Sequence, residues 1–310
     1  MAEVLAGMAS SHAYALVDPH NWETRRELSR ERFAAKYGTP PPQHPKLADE
    51  SPEESNERFQ KLGVAFQQLR DQLVQLAPDT LIIIGDDQEE NYTDTVPQFS
   101  LYTGEHIRAY DPESKETTAY RCNAGLAKAL HGSLVDQGFD LTSSSAFPDD
   151  LLISHAHAQI LTLLRPDAPV VLVFVNAINL PAATPSRCYE FGEGIRRCLD
   201  ELPGSERLVL YASGGLSHFS AGYPYREYGG PLTMGDISED FDRRVLSWIE
   251  AGDADALKSL SSKDLLDNGE VEFRQWLVLL GALRGTEPES LVYEPMYRGL
   301  MGMGVGFWRS

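Results

Sequence analysis

Four short apolar segments constrain the fold of this chain more than any other feature. They are EVLAGMA (3–9), LIIIG (81–85), VVLVFVN (170–176) and LVLYASGG (208–215). Apolar runs of this length, bounded by glycine, proline or polar residues, are typical of strands buried on both faces of a sheet. Such strands need helices on both sides. The pattern therefore predicts an α/β fold with a central, mostly parallel or mixed sheet covered by helices on both faces.

Segments with helical spacing of apolar residues lie between these strands. The predicted helices are 22–37, 53–76, 122–137, 151–164, 185–202, 238–250 and 270–284. The proline-rich connector at 39–52 is expected to be neither helix nor central strand. The glycine-rich C-terminal segment is expected to be a tail. Because no internal repeat and no low-complexity linker interrupts the chain, we expect one domain over 1–310.

Composition excludes several classes of function. A formal net charge of -19 argues against a nucleic-acid backbone or an anionic membrane as partner, since both require a basic face. No stretch approaches the length of about 20 apolar residues that spans a bilayer. The N-terminus lacks the pattern of a signal peptide. The three cysteines are too scattered for a disulfide framework, so we expect reduced thiols and a cytoplasmic location.

Polar residues directly follow each predicted strand. SSHAY follows the first, GDDQEENY the second, NAIN the third and SGGLSHF the fourth. In α/β sheets, ligands bind beyond the carboxyl ends of the strands. His12 and His218 each lie in such a segment, and the paired glycines before His218 allow the backbone to approach a ligand closely. The sequence therefore predicts a binding site at this edge of the sheet.

Other titratable residues lie on predicted helices. His155 and His157 are two positions apart, so on a helix they point to different faces and cannot both serve one site. Glu272 lies between apolar residues near the start of a largely buried helix, where a carboxylate is unfavourable unless it is paired or bound to a metal. Glu270 is interpreted as an acid at that helix N-terminus, favoured by the helix dipole.

Sequence motifs for several other chemistries are absent. The chain contains no GxxxxGK[ST] phosphate-binding loop and no GxSxG nucleophile elbow. GMGVG near the C-terminus does not open a helix, so it cannot hold a dinucleotide. A serine hydrolase or a nucleotide-binding enzyme therefore has no supporting motif.

Taken together, SSHAY, GDD-x-x-x-x-Y, SGGLSHF, DISEDFDRRVL and GEVEFRQWLVLLGAL resemble a known family. This is the class III extradiol ring-cleavage dioxygenases of the protocatechuate 4,5-dioxygenase catalytic-subunit type. The resemblance runs from His12 to about Leu283. It implies a mononuclear non-haem Fe(II) held by two histidines and one glutamate, with positions left open for a catecholic substrate and O₂. It also implies a role in aromatic compound catabolism and a homo-oligomer, joined in some members by a small second subunit.

The resemblance assigns roles to individual residues. It implies that His12 and Glu272 bind the metal and that His218 is the acid/base, since a histidine with a pKa near neutrality can take a proton from the diol and return it. His155 matches a second active-site histidine that contacts substrate, although Ala156 follows it where the family usually has glycine. Ser11 and Tyr92, in the same motifs, are predicted to bind substrate.

The chain departs from the family at the second histidine ligand, where it has Gln88. Gln88 could bind the metal through its amide oxygen. Alternatively, Asp87, Glu89 or Glu90 could supply a carboxylate, which would shift the site towards Mn(II) or Mg(II). In the third interpretation the metal is lost. The alternative functions are then a metal-dependent hydrolase, lyase or decarboxylase on the same scaffold, or a non-catalytic binding or accessory subunit.

Overall fold

A mixed eight-stranded sheet forms the centre of the molecule. The structure is a computed structural model that describes residues 2–12, 19–111, 114–147 and 152–310. The sheet has the strand order β6-β3-β7-β2-β8-β1-β10-β9, and β4 and β5 form a separate hairpin. The strands are β1 (Glu3–Ser10), β2 (Thr80–Gly85), β3 (Phe99–Tyr102), β4 (His106–Asp111), β5 (Glu116–Arg121), β6 (Thr142–Ser144), β7 (Val170–Val175), β8 (Arg207–Ser213), β9 (Ser290–Met296) and β10 (Met301–Arg309).

The four predicted apolar segments are β1, β2, β7 and β8, and they lie side by side at the centre of the sheet. β7 pairs with β2, β2 with β8 and β8 with β1, all in parallel. β10 runs antiparallel to β1, and β3 runs antiparallel to β7. The prediction of an α/β fold with a mixed sheet is therefore confirmed.

Helices cover both faces of this sheet. Alternate residues of the central strands point to opposite faces: Ile82 and Leu210 pack in one core with α6 and α11, whereas Ile83 and Val209 pack in the other with α3 and α5. The helices of the described ranges are α1 (Trp22–Tyr37), α2 (Pro45–Asp49), α3 (Pro52–Leu76), α4 (Ala124–Asp136), α5 (His155–Leu164), α6 (Pro185–Glu201), α7 (Tyr225–Tyr228), α8 (Glu239–Glu250), α9 (Ala254–Ser259), α10 (Ser262–Asp267) and α11 (Phe273–Leu283).

The prediction of a C-terminal tail was wrong, because this segment forms β10 in the main sheet. Its alternate glycines allow neighbouring groups to approach the strand closely. A Cβ atom at Gly302 would lie 2.4 Å from Asp242 Oδ2, and one at Gly304 would lie 2.9 Å from the Leu216 side chain. Glycine is required here to fit those side chains against the strand.

The prediction that the connector contains no helix was wrong, and two predicted helices begin at least three residues later than expected. The connector contains the short helix α2, which begins at Pro45, because proline is tolerated at the first position of a helix. The helix predicted over 270–284 begins at Phe273, after Glu272 as its N-cap residue. The helix predicted from 151 begins at His155, and residue 151 lies outside the described residues.

Two further predictions concern membranes and cysteines. No helix within the described ranges has the length and apolar character needed to cross a membrane. Cys122, Cys188 and Cys198 are all free thiols, as expected from their scattered positions.

Candidate metal centre

Three adjacent parallel strands and one helix deliver the residues of the candidate site. His12 follows β1, Asp86 follows β2, His218 lies in the turn after β8, and Glu272 is the N-cap of α11. Because β2, β8 and β1 are neighbours and run in the same direction, their carboxyl ends meet at one edge of the sheet. This is the edge at which the sequence predicts a ligand site.

Three buried side chains converge at this edge. His12 Nε2 lies 3.8 Å from Asp86 Oδ1 and 3.6 Å from Glu272 Oε2. One ligand atom from each residue lies within 4.8 Å of the others, and each residue is at most 3% exposed. One imidazole and two carboxylates form a donor set suited to a divalent transition metal.

The tautomer of His12 directs a lone pair into this cluster. The Ser213 hydroxyl donates to the Ala156 carbonyl at 2.5 Å, so its oxygen accepts at His12 Nδ1, 3.1 Å away. The proton of the neutral ring is therefore on Nδ1, and Nε2 faces the carboxylates without one. Burial lowers the pKa of His12 to about 4, which keeps the ring neutral. A fixed Nδ1–H with a free Nε2 is the arrangement of a metal-binding histidine.

Asp86 supplies the observation that tests whether a metal fits. Its Oδ1 atom is buried and has no hydrogen-bond partner, although almost all buried carboxylate oxygens have one. Burial, and then the nearby charge of Glu272, raises the pKa of Asp86 well above its ordinary value. An unpartnered oxygen, a lone pair of His12 and a second carboxylate oxygen all face one point. A divalent cation at that point would satisfy all three.

Glu272 is held in its charged form. Burial alone would raise its pKa, but the neighbouring His218 and His12 and its hydrogen bonds lower that pKa below the ordinary range. The Gly215 N–H donates to Oε2 at 2.9 Å, and His218 Nε2 lies 3.2 Å from Oε1. The burial of Glu272 is therefore compensated by partners, as the sequence analysis required.

Gln88 lies in the cluster, but it presents its nitrogen and not its oxygen. Nε2 donates to Glu272 Oε1 at 2.8 Å and to Asp86 Oδ2 at 3.3 Å. Among the acidic residues and histidines, the one that brings an oxygen to His12 and Glu272 is Asp86. Metal binding through the Gln88 amide oxygen stays a prediction. Asp86 was not among the predicted ligands, although its position directly after β2 was a signal for it.

The three alternative carboxylates after β2 do not join the cluster of ligand atoms. Asp87 accepts the backbone N–H groups of Asn91 and Tyr92, which closes the turn. Glu89 is exposed. Glu90 accepts from Nδ1 and from the backbone N–H of His155. The carboxylates of Asp87 and Glu90 are therefore engaged in holding the site together.

Two further histidines adjoin the cluster. His218 Nδ1–H donates to the Leu216 carbonyl at 2.9 Å. Burial opposes protonation of His218, but the charge and hydrogen bond of Glu272, together with smaller contributions, raise its pKa to about 9. The His155 ring lies edge-on to that of His12, with centroids 4.9 Å apart, and is 36% exposed. Burial opposes its protonation, but Glu90 raises its pKa to about 9.

His157 points away into the core, as expected from the spacing.

Ser11 and Tyr92 are engaged in hydrogen bonds within the protein. The Ser11 oxygen accepts the Gly304 and Leu216 N–H groups, and the residue is fully buried. The Tyr92 hydroxyl is bonded to Ser100 and Ser144, on β3 and β6. Substrate binding by Ser11 and Tyr92 stays a prediction.

A buried acidic pair lies behind His218. Asp242 accepts the N–H and the hydroxyl of Ser217, and also the hydroxyl of Tyr293 at 2.5 Å. Glu270 is fully buried beside it, and burial and the charge of Asp242 raise the pKa of Glu270 well above its ordinary value. The interpretation of Glu270 as an N-terminal helix acid was wrong, because tertiary packing places it in the core.

Comparisons with known proteins give this site a family context. Residues 42–308 match the family described as the catalytic LigB subunit of aromatic ring-opening dioxygenase. This range contains Asp86, Gln88, His218 and Glu272, whereas His12 precedes it. The matched range covers most of the chain.

Several curated proteins are similar to the chain at modest identity. A 2,3-dihydroxyphenylpropionate/2,3-dihydroxicinnamic acid 1,2-dioxygenase of Comamonas testosteroni is 31% identical over 150 residues, which are 46% of this chain and 44% of that protein. A protein of the same name from Klebsiella pneumoniae is 27% identical over 280 residues, covering 76% of this chain and 87% of that one. Gallate dioxygenase of Pseudomonas putida is 28% identical over 101 residues, covering 31% and 28%.

The extent of these similarities varies. The alignments with the Comamonas protein and with protein CA_C1420 of Clostridium acetobutylicum span 44% and 55% of the length of those proteins. An uncharacterized protein, JW3007 from Escherichia coli K12, superposes with a TM-score of 0.49 at 11% identity, covering 98% of this chain and 99% of that one.

Proposed function

The chain belongs to the family of catalytic LigB subunits of aromatic ring-opening dioxygenases, and on that premise we propose that it opens the ring of a catecholic substrate with O₂. The proposed site is a divalent metal, Fe(II) in the family it resembles, held by His12, Asp86 and Glu272. The proposed substrate has two vicinal hydroxyl groups, because relatives are named for 2,3-dihydroxyphenyl compounds. Cleavage beside the diol is the extradiol reaction implied by the sequence resemblance.

One observation carries the proposal. The His12 Nε2 lone pair, the unpartnered Asp86 Oδ1 and the Glu272 Oε2 atom face one another in a buried site at the carboxyl edge of the sheet. When bound there, a redox-active cation supplies Lewis acidity towards the diol oxygens and redox chemistry towards O₂. With His12, Asp86 and Glu272 as its protein ligands, such a cation would keep coordination positions available to substrate and O₂.

His218 is the proposed acid/base. Its Nδ1–H is fixed by the Leu216 carbonyl, so proton exchange with a substrate hydroxyl takes place at Nε2. The charge of Glu272 raises the pKa of His218.

His155 is proposed to contact the substrate from the side of α5. Glu90 accepts from its Nδ1 at 2.9 Å and fixes the ring plane, while the ring remains partly exposed beside His12. Nε2 of His155 is then available to a substrate oxygen, and burial of the surrounding groups limits the access of water.

The test combines O₂ uptake with mass spectrometry. The protein is stripped with a chelator, loaded anaerobically with Fe(II), and mixed with protocatechuate, gallate or 2,3-dihydroxyphenylpropionate. We expect stoichiometric O₂ uptake and, with ¹⁸O₂, a product that has gained both labelled atoms. Metal-dependent turnover without O₂ uptake would support the hydrolase, lyase or decarboxylase alternative. Absence of metal binding after loading would support a non-catalytic binding subunit.

Three predictions about the wider context stay predictions. These are a homo-oligomeric assembly, a small second subunit and a cytoplasmic location. Size-exclusion chromatography with light scattering of the metal-loaded protein measures the first directly.

A further inference from the structure

We propose that Gln88 is a positioning residue that turns one oxygen of Asp86 towards the metal, so that the centre has a ligand set of one histidine and two carboxylates and favours hard cations. This inference rests on the proposed function only in so far as the cluster binds a metal. It goes further in assigning Gln88 a role in cation choice.

Gln88 divides the oxygens of the two carboxylates into two sets. Its amide nitrogen donates to Asp86 Oδ2 and Glu272 Oε1. The other two oxygens, Asp86 Oδ1 and Glu272 Oε2, face His12 Nε2 at 3.8 and 3.6 Å. One oxygen of each carboxylate is thus held by the amide, and the other is directed to the metal position.

The amide must present its nitrogen in this position. If the Gln88 side chain were flipped, its oxygen would lie against two carboxylate oxygens, and both hydrogen bonds would be lost. The backbone of the turn that carries Gln88 is held on both sides, because Asp87 accepts the Asn91 and Tyr92 N–H groups and Glu89 adopts a φ of 64°. Gln88 is therefore a clamp on the ligands and does not itself provide one.

The resulting charge count favours hard cations. Two carboxylates and a neutral His12 balance a divalent ion, and the Gln88 amide adds hydrogen bonds without adding charge. Carboxylate ligands suit Mg(II), Ca(II) and Mn(II), whereas imidazole suits Zn(II), Cu(II), Fe(II) and Ni(II). Replacing Gln88 by histidine adds an imidazole to the cluster and removes the clamp, so it should raise Zn(II) affinity relative to Mn(II).

Metal titration tests the proposal without any assay of activity. Chelator-treated full-length protein is titrated with Mn(II), with free Mn(II) followed by electron paramagnetic resonance, and Zn(II) is measured by competition. The variants are Asp86→Asn, Gln88→Ala and Gln88→His. Glu89→Gln is the matched control, because Glu89 lies on the same turn but is exposed. Circular dichroism confirms the fold of each variant.

We expect about one Mn(II) per chain, and a loss of affinity of more than about 100-fold in Asp86→Asn. In Gln88→Ala the Mn(II) affinity should fall by about 10- to 100-fold, as is usual when a residue that orients metal ligands is removed. Glu89→Gln should stay within about twofold, and Gln88→His should raise the Zn(II)/Mn(II) affinity ratio at least about tenfold.

Two results would overturn the proposal. One is a loss of Mn(II) affinity in Gln88→Ala that is as large as the loss in Asp86→Asn, because Gln88 would then behave as a metal ligand. The other is an unchanged Zn(II)/Mn(II) ratio in Gln88→His, which also decides the matter if Asp86→Asn does not fold. Failure of ring cleavage with this binding pattern intact would refute the proposed function alone.

Discussion

The two sides of the candidate metal centre are built very differently. The β8–α11 side consists of the turn Gly214–His218 together with Glu272, and each of its polar groups has a fixed partner. The β2 side is the turn Asp86–Glu90. There, Asp86 Oδ1 is buried without a partner, and one amide holds both carboxylates. The polar groups of the first side are satisfied within the protein, whereas the second side leaves one buried carboxylate oxygen without a partner.

This difference separates two tasks. The acid/base role proposed for His218 needs a histidine held in one position, and on the β8–α11 side Asp242 holds the neighbouring Ser217 through two hydrogen bonds. Metal binding needs unsatisfied donor atoms, which destabilise the metal-free protein. On the β2 side, the unsatisfied atom is Asp86 Oδ1. It lies in the same turn as Gln88, where the sequence departs from the family it resembles.

The largest expected effect is on catalysis and comes from the β8–α11 side. His218→Ala removes the proposed acid/base and should lower kcat for ring cleavage by about 100- to 10,000-fold. Mn(II) affinity should fall less than kcat, by at most about 10- to 100-fold, because His218 contacts the ligand Glu272 but is not itself one of the three converging residues. His106→Gln, at an exposed histidine, is the control and should retain full activity. Equal losses of kcat and of metal affinity would contradict the separation of the two sides.

The next effect is on stability and tests the support behind His218. Asp242→Asn places an amide NH₂ against the Ser217 and Tyr293 donors and should lower the free energy of unfolding by about 2–4 kcal/mol. Tyr293→Phe removes one donor and should lower it by only about 1 kcal/mol. Urea denaturation measures both. If the Asp242→Asn protein were as stable as wild type, the hydrogen bonds of Asp242 with Ser217 and Tyr293 would contribute nothing to stability.

On the β2 side the expected effect has the opposite sign. Asp86→Asn removes charge from a buried site where Oδ1 has no partner, so it should stabilise the metal-free protein by about 1–3 kcal/mol. The same variant should lose the stabilisation that Mn(II) gives to wild type. Thermal unfolding with chelator and with excess Mn(II) gives both comparisons. Destabilisation in chelator would mean that Asp86 is already satisfied without a cation.

The smallest effect is a pH dependence beneath the β2 side, where His157 packs against Gly85. Burial lowers the pKa of His157 to about 3. The unfolded chain binds a proton below a pH of about 6.5, whereas the folded protein does not, so stability falls as pH falls. Without metal, His157 contributes a slope of up to about 1.4 kcal/mol per pH unit below that point.

Urea denaturation at pH 7.5 and at pH 5.5 measures this slope. His157→Asn should lose less stability on acidification than wild type. Part of the slope remains in the variant, because the pKa of His12 is lowered in the same direction. Identical slopes in the two proteins would contradict the prediction.

The sequence predicted the architecture well, because continuous apolar runs of the length of β2 or β7 can be buried only inside a covered sheet. It did not predict β10. Alternating glycines favour a loop by local propensity, and the reason for them is the approach of Asp242 and Leu216 from elsewhere in the chain. Local propensity depends only on the residues of β10 itself, whereas its position in the sheet depends on packing against distant side chains.

Site residues were predictable where burial could be read from the sequence. Glu272, between apolar neighbours on a buried helix, is such a case. Asp86 and Asp87 are adjacent aspartates, and the sequence does not distinguish their roles. The conformation of the turn places Asp86 in the cluster, whereas Asp87 accepts backbone N–H groups. Glu270 was misread for a similar reason, because its partner Asp242 lies on a different helix.

The most direct test of the metal centre is a crystal structure of the Mn(II)-loaded protein with anomalous scattering data. We predict one Mn(II) bound to His12 Nε2, Asp86 Oδ1 and Glu272 Oε2 at about 2.0–2.3 Å, with the Gln88 amide nitrogen still on the two outer carboxylate oxygens. An anomalous peak bound by Gln88 Oε1 without Asp86, or the lack of any peak between these side chains, would contradict the account.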